Sequence, residues 1–371
     1  MGKAALIRLG AHHGLAARSP LFSVSSQRLF STTASAKPPV CITRRLLPEI
    51  LSRVEEQCEV RHYWDEETIP VPPNTLREWV RDCQGVYCLL TEKISKDLLE
   101  EGKGLKVVSS MSVGVDHIDV EACKQRGVAV GHTPGVLTDS TADIAVALLF
   151  AATRRLGEGI DLVKKGQWKT WSPFFMASPF DVTGCTVGVV GLGRIGAAFA
   201  ERMARGFRCK ILYCGRQPKP LAANMIGTSA AAASAALTST SASPSANIPE
   251  YVSFEELLQR SDVVSVHCPL TPDTRHMFNK HAFRQMKKHA VLINTSRGPV
   301  VDEAALYEAL KDGLIAAAGL DVTEVEPLDP SSPLLTLPNA IVLPHIGRYC
   351  CSNSPSPLFS ASVLTLSLNC C

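Results

Sequence analysis

The sequence predicts an α/β protein built of two parallel-sheet domains, at least one of them doubly wound. Three observations carry this. Short β-branched runs alternate with helical stretches through most of the chain, the pattern of a parallel sheet flanked by helices. A glycine-rich turn, Gly191-Leu192-Gly193-Arg194-Ile195-Gly196, stands between an apolar run (Val187, Val189, Val190) and an alanine-rich helical segment. The chain's 371 residues, 46% apolar and 20% charged, leave room for two cores.

Residues 1–37 carry Lys3, Arg8, Arg18, Arg28 and Lys37, many Ser and Thr, and no acid; the first acidic residue is Glu49. That composition is the signature of a mitochondrial transit peptide and predicts a matrix protein, with the cytoplasm as second choice. From Val40 to Gly135 the expected strands are Val40–Thr43, Cys58–Tyr63, Gly85–Leu90, Leu105–Ser110 and Val128–Gly131. Helical stretches lie between them at Pro48–Glu56, Leu76–Arg81, Lys96–Glu101 and Val120–Gln125. The fourth strand runs into Ser112-Val113-Gly114-Val115-Asp116, a small-residue loop whose N–H groups suit a carboxylate.

Thr138 to Leu156 reads as one long helix, with Asp139, Ser140 or Thr141 as its cap and Ala145, Leu148, Leu149 and Ala152 on its apolar face. Trp168–Phe180, rich in aromatics and proline, reads as an irregular loop.

In the glycine-rich turn, the first glycine permits the tight bend and the second lets the backbone approach a pyrophosphate. The third lets helix pack on strand, and the helix N-terminus offers free N–H groups to phosphate. A strand at Ile211–Tyr213 follows. An NAD site places Asp or Glu about 20 residues after the glycines to hold the ribose 2′-hydroxyl. Here Cys214-Gly215-Arg216-Gln217-Pro218-Lys219 has no acid, and Arg216 with Lys219 suits the 2′-phosphate of NADPH. Residues 221–247 are mostly Ala, Ser and Thr without a charge, the composition of a flexible surface insertion. The parallel pattern then resumes with Tyr251–Phe254, Val263–His267, Ala290–Asn294, Ala317–Leu320 and Ala340–Leu343 as strands, and Phe254–Arg260 and Glu303–Lys311 as helices.

The formal charge of +3 is too small to argue for nucleic acid. No apolar run reaches the roughly 20 residues that span a bilayer. Thirteen cysteines are scattered, with no C-x-x-C and no zinc-type spacing, so the reading is free thiols in a reducing compartment and no metal.

Ligands of open α/β sheets bind outside the carboxyl ends of the strands, and four polar residues stand there: Arg297, Asp321, Glu326 and His345. An arginine clamps a carboxylate and polarises a neighbouring carbonyl. A histidine exchanges the proton that accompanies hydride transfer, and a carboxylate beside it stabilises the imidazolium. Together with a nicotinamide, such a set can reduce a 2-oxo acid.

Arg297, Asp321 and His345 fall in the last three of seven ordered motifs: Met111–His117, His132–Thr138, Gly191–Gly196, Gly215–Pro218, Asn294–Gly298, Gly319–Val322 and Leu343–Gly347. In them the chain, from about Val40 to Gly347, resembles the D-isomer-specific 2-hydroxyacid dehydrogenases, and within that family the members that reduce glyoxylate or hydroxypyruvate. The resemblance implies a substrate-binding domain over 38–137 and a Rossmann domain over 138–347, the latter inserted in the former, with the site in the cleft between them. It implies Arg297, Glu326 and His345 as the catalytic set, and Val113, Gly114, Arg297 and His345 around the substrate. Gly191, Gly193, Arg194, Ile195, Gly196, Arg216, Gln217, Pro269, Thr295, Asp321 and Gly347 would meet NADPH, with NADH possible. The family usually forms homodimers.

The tail is where the resemblance stops: 348–371 has one charge and four cysteines where the family has a closing helix. Two other functions fit the same motifs: a relative acting on a larger acid such as phosphoglycerate, and a dinucleotide-binding regulatory protein without turnover.

Overall fold

The computed structural model describes residues 36–219 and 248–347. The bulk of the expected transit peptide, the insertion 221–247 and the tail 348–371 lie outside the described residues, and with the tail lies any return of the chain to the first domain.

Five parallel strands form the first sheet: β1 (Pro39–Ile42), β2 (Glu59–Tyr63), β3 (Gly85–Cys88), β4 (Val107–Ser110) and β5 (Ala129–Gly131), in the order β2-β1-β3-β4-β5. Helices α1 (Pro48–Gln57), α2 (Pro73–Trp79), α3 (Lys96–Glu101) and α4 (Val120–Gln125) connect them. Successive strand residues point to opposite faces, so Cys41, Val86, Cys88 and Val108 enter one apolar cluster and Val40, Ile42, Tyr87 and Val107 the other. Both faces are covered, which is why these strands read as continuous apolar runs rather than alternating ones. Ser95 and Asp119 cap α3 and α4 by accepting from Leu98 N and Ala122 N.

Beyond the carboxyl ends of β1 and β3, where the strand order reverses, a buried ion pair fills the crevice. Arg44 Nη2 lies 3.0 Å from Glu92 Oε1. Thr43 Oγ1 and Leu89 N both donate to Glu92 Oε2 at 2.8 Å, and Arg44 also reaches Thr91 Oγ1 and Glu67 O. Arg44, Glu92 and Thr43 are buried while Thr91 and Glu67 lie at the surface, so breaking one side of the ion pair would strand the other.

The second sheet has seven parallel strands: β6 (Thr186–Val190), β7 (Lys210–Cys214), β8 (Glu250–Tyr251), β9 (Val263–Val266), β10 (Val291–Asn294), β11 (Ala317–Leu320) and β12 (Ala340–Val342). Their order is β12-β11-β10-β9-β6-β7-β8, the Rossmann arrangement with one strand added and with its switch point between β6 and β9. Helices α5 (Thr138–Thr153) and α7 (Arg194–Phe207) pack on one face. On the other lie α8 (Phe254–Arg260), α9 (Lys280–Gln285) and α10 (Glu303–Lys311).

The expected single helix Thr138–Leu156 is two. The first ends at Thr153; Arg155 takes a left-handed conformation (φ 50°), and α6 (Leu156–Lys164) starts from it. Glu158 holds the Arg155 guanidinium through both oxygens, at 2.6 and 2.9 Å. The cap also differs: Leu137 stands at the N-cap without a side-chain bond. Ser140 Oγ and Thr141 Oγ1 instead donate to Leu137 O, while Asp139 pairs with Arg202 of α7.

Candidate active site

A cavity of about 300 Å³ opens at the carboxyl ends of both sheets. The loop after β4, the start of α5, the start of α7, the residues after β9 and β10, and the His345–Gly347 segment line it.

The loop after β4 is braced so that its acceptors are spent and its donors are not. Ser112 O accepts from Thr133 N at 2.8 Å and Thr133 Oγ1 at 3.0 Å. Val113 O is 3.0 Å from His132 Nδ1, and Gly114 O accepts from Ser112 Oγ at 2.7 Å. Val113 N and Gly114 N make no hydrogen bond among the described residues. With the carbonyls turned to partners, two bare donors remain beside a cavity, which is what a carboxylate needs.

Arg297 arrives from the other domain, just past β10. Its Nε donates to Asp116 Oδ1 at 2.9 Å and its Nη1 to Ser296 O at 2.7 Å. A Cβ built on Gly114 would lie 1.7 Å from Arg297 Nη2, so only glycine lets the guanidinium lie against this loop.

Across the cavity, His345 sits in a left-handed conformation (φ 58°). Its Nδ1 is 2.7 Å from Glu326 Oε2, which fixes the ring and leaves Nε2 for the cavity that the ring lines. Glu326 Oε1 accepts in turn from Thr323 N at 3.2 Å. Buried Asp321, at the end of β11, accepts from Ile346 N and Gly347 N at 2.8 Å each. Burial raises its carboxyl above the ordinary value, and those two N–H bonds pull the other way. Thr141 Oγ1 donates to Gly347 O at 2.7 Å, so the segment carrying the histidine is held from both sides.

In the glycine turn the first and third glycines stand where a side chain would clash. Gly191 (φ 95°) bends where a Cβ would lie 2.9 Å from Cys268 N, and a Cβ on Gly196 would lie 2.2 Å from Gly191 O. A Cβ on Gly193 would meet nothing within 4 Å among the described residues. Gly193 is the N-cap of α7 with no side-chain cap, and Arg194 N and Ile195 N are free in the first turn. Bare N–H groups, the positive helix end and open space over Gly193 fit a pyrophosphate. Further in, Thr295 Oγ1 is buried and lines the same cavity without a partner among the described residues; a nicotinamide carboxamide would satisfy it. His267, 2.8 Å from Ser265 Oγ and tilted against the Phe199 ring, lines the wall. Burial pushes its imidazole down to about 3, so it stays neutral. The residues fit a nicotinamide dinucleotide.

Of the residues that the sequence picks out, the cavity gathers Val113, Gly114, Gly193, Arg194, Ile195, Pro269, Thr295, Arg297, Asp321, His345 and Gly347. Glu326 stands behind His345, and Gly191 and Gly196 shape the turn from below. Arg216 and Gln217 are exposed past the end of β7, on a turn held by Tyr251 Oη donating to Gly215 O. Asp116, Ser112, Thr141 and His267 also line the cavity; in the sequence they read only as loop ends, a cap candidate and the last residue of a strand. A separate donor group, His62, Asp82 and Cys83, lies at the amino end of β3, where Asp82 is already engaged by His62 and Arg61. Among the described residues no helix is long and apolar enough to cross a membrane.

The profile of the D-isomer specific 2-hydroxyacid dehydrogenase NAD-binding domain matches residues 146–347. The chain is 45% identical over 312 residues to a glyoxylate reductase/hydroxypyruvate reductase of Homo sapiens, covering 83% of this chain and 88% of that one. It is 44% identical over 310 residues to a glyoxylate reductase of Korarchaeum cryptofilum, covering 83% and 86%. Among solved structures, it resembles an NADPH-dependent glyoxylate/hydroxypyruvate reductase of Sinorhizobium meliloti bound to NADP and malonate. That match has TM-score 0.70 and 31% identity, over 89% of this chain and 92% of that one.

Proposed function

Because the chain belongs to the D-isomer specific 2-hydroxyacid dehydrogenase family, and is on that footing an NAD(P)-dependent dehydrogenase, we propose that it reduces glyoxylate and hydroxypyruvate, preferring NADPH to NADH. One observation carries the reading: two bare N–H groups, an arginine and a carboxylate-backed histidine face a single cavity. The human and archaeal relatives named for these substrates support it.

In this mechanism Val113 N and Gly114 N receive the substrate carboxylate, and Arg297 spans carboxylate and keto oxygen. Its charge draws electron density from C2 and stabilises the developing alkoxide. The hydride that C2 gains would come from a dihydronicotinamide held over the cavity. His345, protonated on both nitrogens, gives its Nε2 proton to the alkoxide while Glu326 keeps hold of the Nδ1 proton. The product is a 2-hydroxy acid and neutral His345 regains its proton from water. Thr295 and Asp321 would border the nicotinamide, and Gly193, Arg194 and Ile195 would hold the pyrophosphate.

The direct test is oxidation of NADPH and of NADH by the purified chain with each oxo acid. Turnover of neither glyoxylate nor hydroxypyruvate by a folded, dinucleotide-binding protein would reject the reading and favour the regulatory alternative. Arg297→Ala is expected to lower kcat/KM by about 100-fold or more. Arg216→Ala is expected to cut the NADPH:NADH ratio of kcat/KM about tenfold, the worth of a charge-assisted bond to phosphate.

The same proposal includes a homodimer and matrix import. Helix α6 buries no residue and exposes Leu156, Ile160 and Val163, continuing into exposed Trp168, Trp171 and Phe174; a second copy is the expected cover. Light scattering of a Val163→Glu variant against wild type tests it. Import rests on the acid-free composition before Glu49, and a fluorescent fusion of residues 1–37 tests that.

A further inference from the structure

We propose that Asp116 is a positioning residue for Arg297: its carboxylate, reaching across from the loop after β4, takes the guanidinium's Nε edge and leaves the terminal nitrogens for the substrate. The inference rests on the reading of Arg297 as the substrate clamp.

The geometry is specific. Arg297 and Asp116 are 181 residues apart in sequence and belong to opposite domains, yet Nε and Oδ1 are 2.9 Å apart. Their side chains are only 21% and 31% exposed, so the contact is partly shielded and does more than a pair in open solvent. An arginine has five N–H donors in a rigid plane. Here the Nε hydrogen goes to Asp116 and one Nη1 hydrogen to Ser296 O, which leaves one on Nη1 and two on Nη2. Nη2 is pressed against Gly114, whose own N–H is bare.

A planar guanidinium can receive a carboxylate on its Nε–Nη2 side or on its Nη1–Nη2 end. Asp116 occupies the side. A substrate is then confined to the end, where one nitrogen meets the carboxylate held by Val113 and Gly114 and another meets the keto oxygen. Without Asp116 the side is open, and the substrate carboxylate can capture the arginine in a bidentate grip that leaves the carbonyl unpolarised. Such a complex binds well and reacts slowly.

Asp116 makes no other side-chain hydrogen bond among the described residues to a group outside this pair. Its loss therefore leaves the brace of the β4 loop in place. Asp116→Ala is expected to lower kcat for glyoxylate about 10- to 100-fold, with KM for glyoxylate and inhibition by oxamate unchanged or tighter. Asp116→Asn keeps an acceptor for Nε and is expected to fall between the two.

The decisive measurement is a double-mutant cycle in the full chain with Arg297→Lys, whose side chain has no Nε edge. Asp116→Ala is expected to cost no further kcat in that background. An equal loss in both backgrounds means that Asp116 only supports the loop and overturns the inference. So does an Asp116→Ala variant with wild-type kcat. If the wild-type chain turns over no 2-oxo acid while binding NADPH, the functional reading itself fails. An active wild type crippled by Arg297→Lys but indifferent to Asp116→Ala sinks this inference alone.

Discussion

The loop after β4 and the turn after β6 both present bare backbone N–H groups to the cavity, and they reach that state by opposite routes. The turn uses conformation: a left-handed glycine, then a helix that opens without a cap, so that donors and the helix dipole point the same way. The loop has no helix behind it. It frees Val113 N and Gly114 N by giving each neighbouring carbonyl a side-chain or backbone donor. The turn is all backbone and carries net positive character, which suits a pyrophosphate. The loop ends in Asp116 and borrows its positive charge from Arg297 in the other domain, which suits one carboxylate and only when both domains contribute. One set of donors is built from a single stretch of chain, the other only where two sheets meet.

Substitution of glycines can break that contrast. The largest effect is expected from Gly114→Ala, whose Cβ would fall 1.7 Å from Arg297 Nη2. Turnover should drop by about 100-fold or more while NADPH affinity, if the turn after β6 sets it, stays within about threefold. A parallel collapse in coenzyme binding would show that the two loops are not independent. Gly193→Ala sharpens the other side. Its Cβ meets nothing within 4 Å, so thermal stability should hold, yet NADPH should bind about tenfold more weakly or worse because the phosphate needs that space. Gly196→Ala, aimed at Gly191 O from 2.2 Å, should instead cost about 1–3 kcal/mol of unfolding free energy in a urea titration.

The smallest effect concerns acid. His267 is held at about 3 against an ordinary 6.5. Below about 6.5 the unfolded chain takes up a proton that the fold refuses, so stability is full above that value and declines as pH falls towards 3. The slope should stay below about 1 kcal/mol per pH unit, since the ring borders a solvated cleft. Comparing wild type with His267→Asn in urea at about pH 7 and about pH 5.5 should show a flatter dependence in the variant. An unchanged slope would place the acid sensitivity elsewhere.

What was legible in the sequence was what is local. The glycine turn announces itself because three conformational demands fall within six residues, and Arg297, Asp321 and His345 stand out because each follows an apolar strand. The role of Asp116 is not legible because its partner is 181 residues away, nor that of Thr141 beyond a cap, because its second bond goes to Gly347. The break at Arg155 was invisible for another reason. Apolar spacing continues through Leu156, Ile160 and Val163, Gly157 and Gly159 fall inside the second helix rather than at the break, and the left-handed backbone is held by Glu158 beyond it. Periodicity records which face is apolar, and here the face runs on although the axis does not.

The ion pair of Arg44 and Glu92 has a consequence for stoichiometry. A parallel sheet of order β2-β1-β3-β4-β5 belongs to a class that elsewhere admits its own nucleotide at the crevice where the order reverses. In this chain that crevice is filled from within by a guanidinium, a carboxylate and the Thr43 and Thr91 hydroxyls that tie them down. One dinucleotide per chain is therefore the stoichiometry we propose, with the first sheet lending the loop after β4 to the cavity it shares with the second.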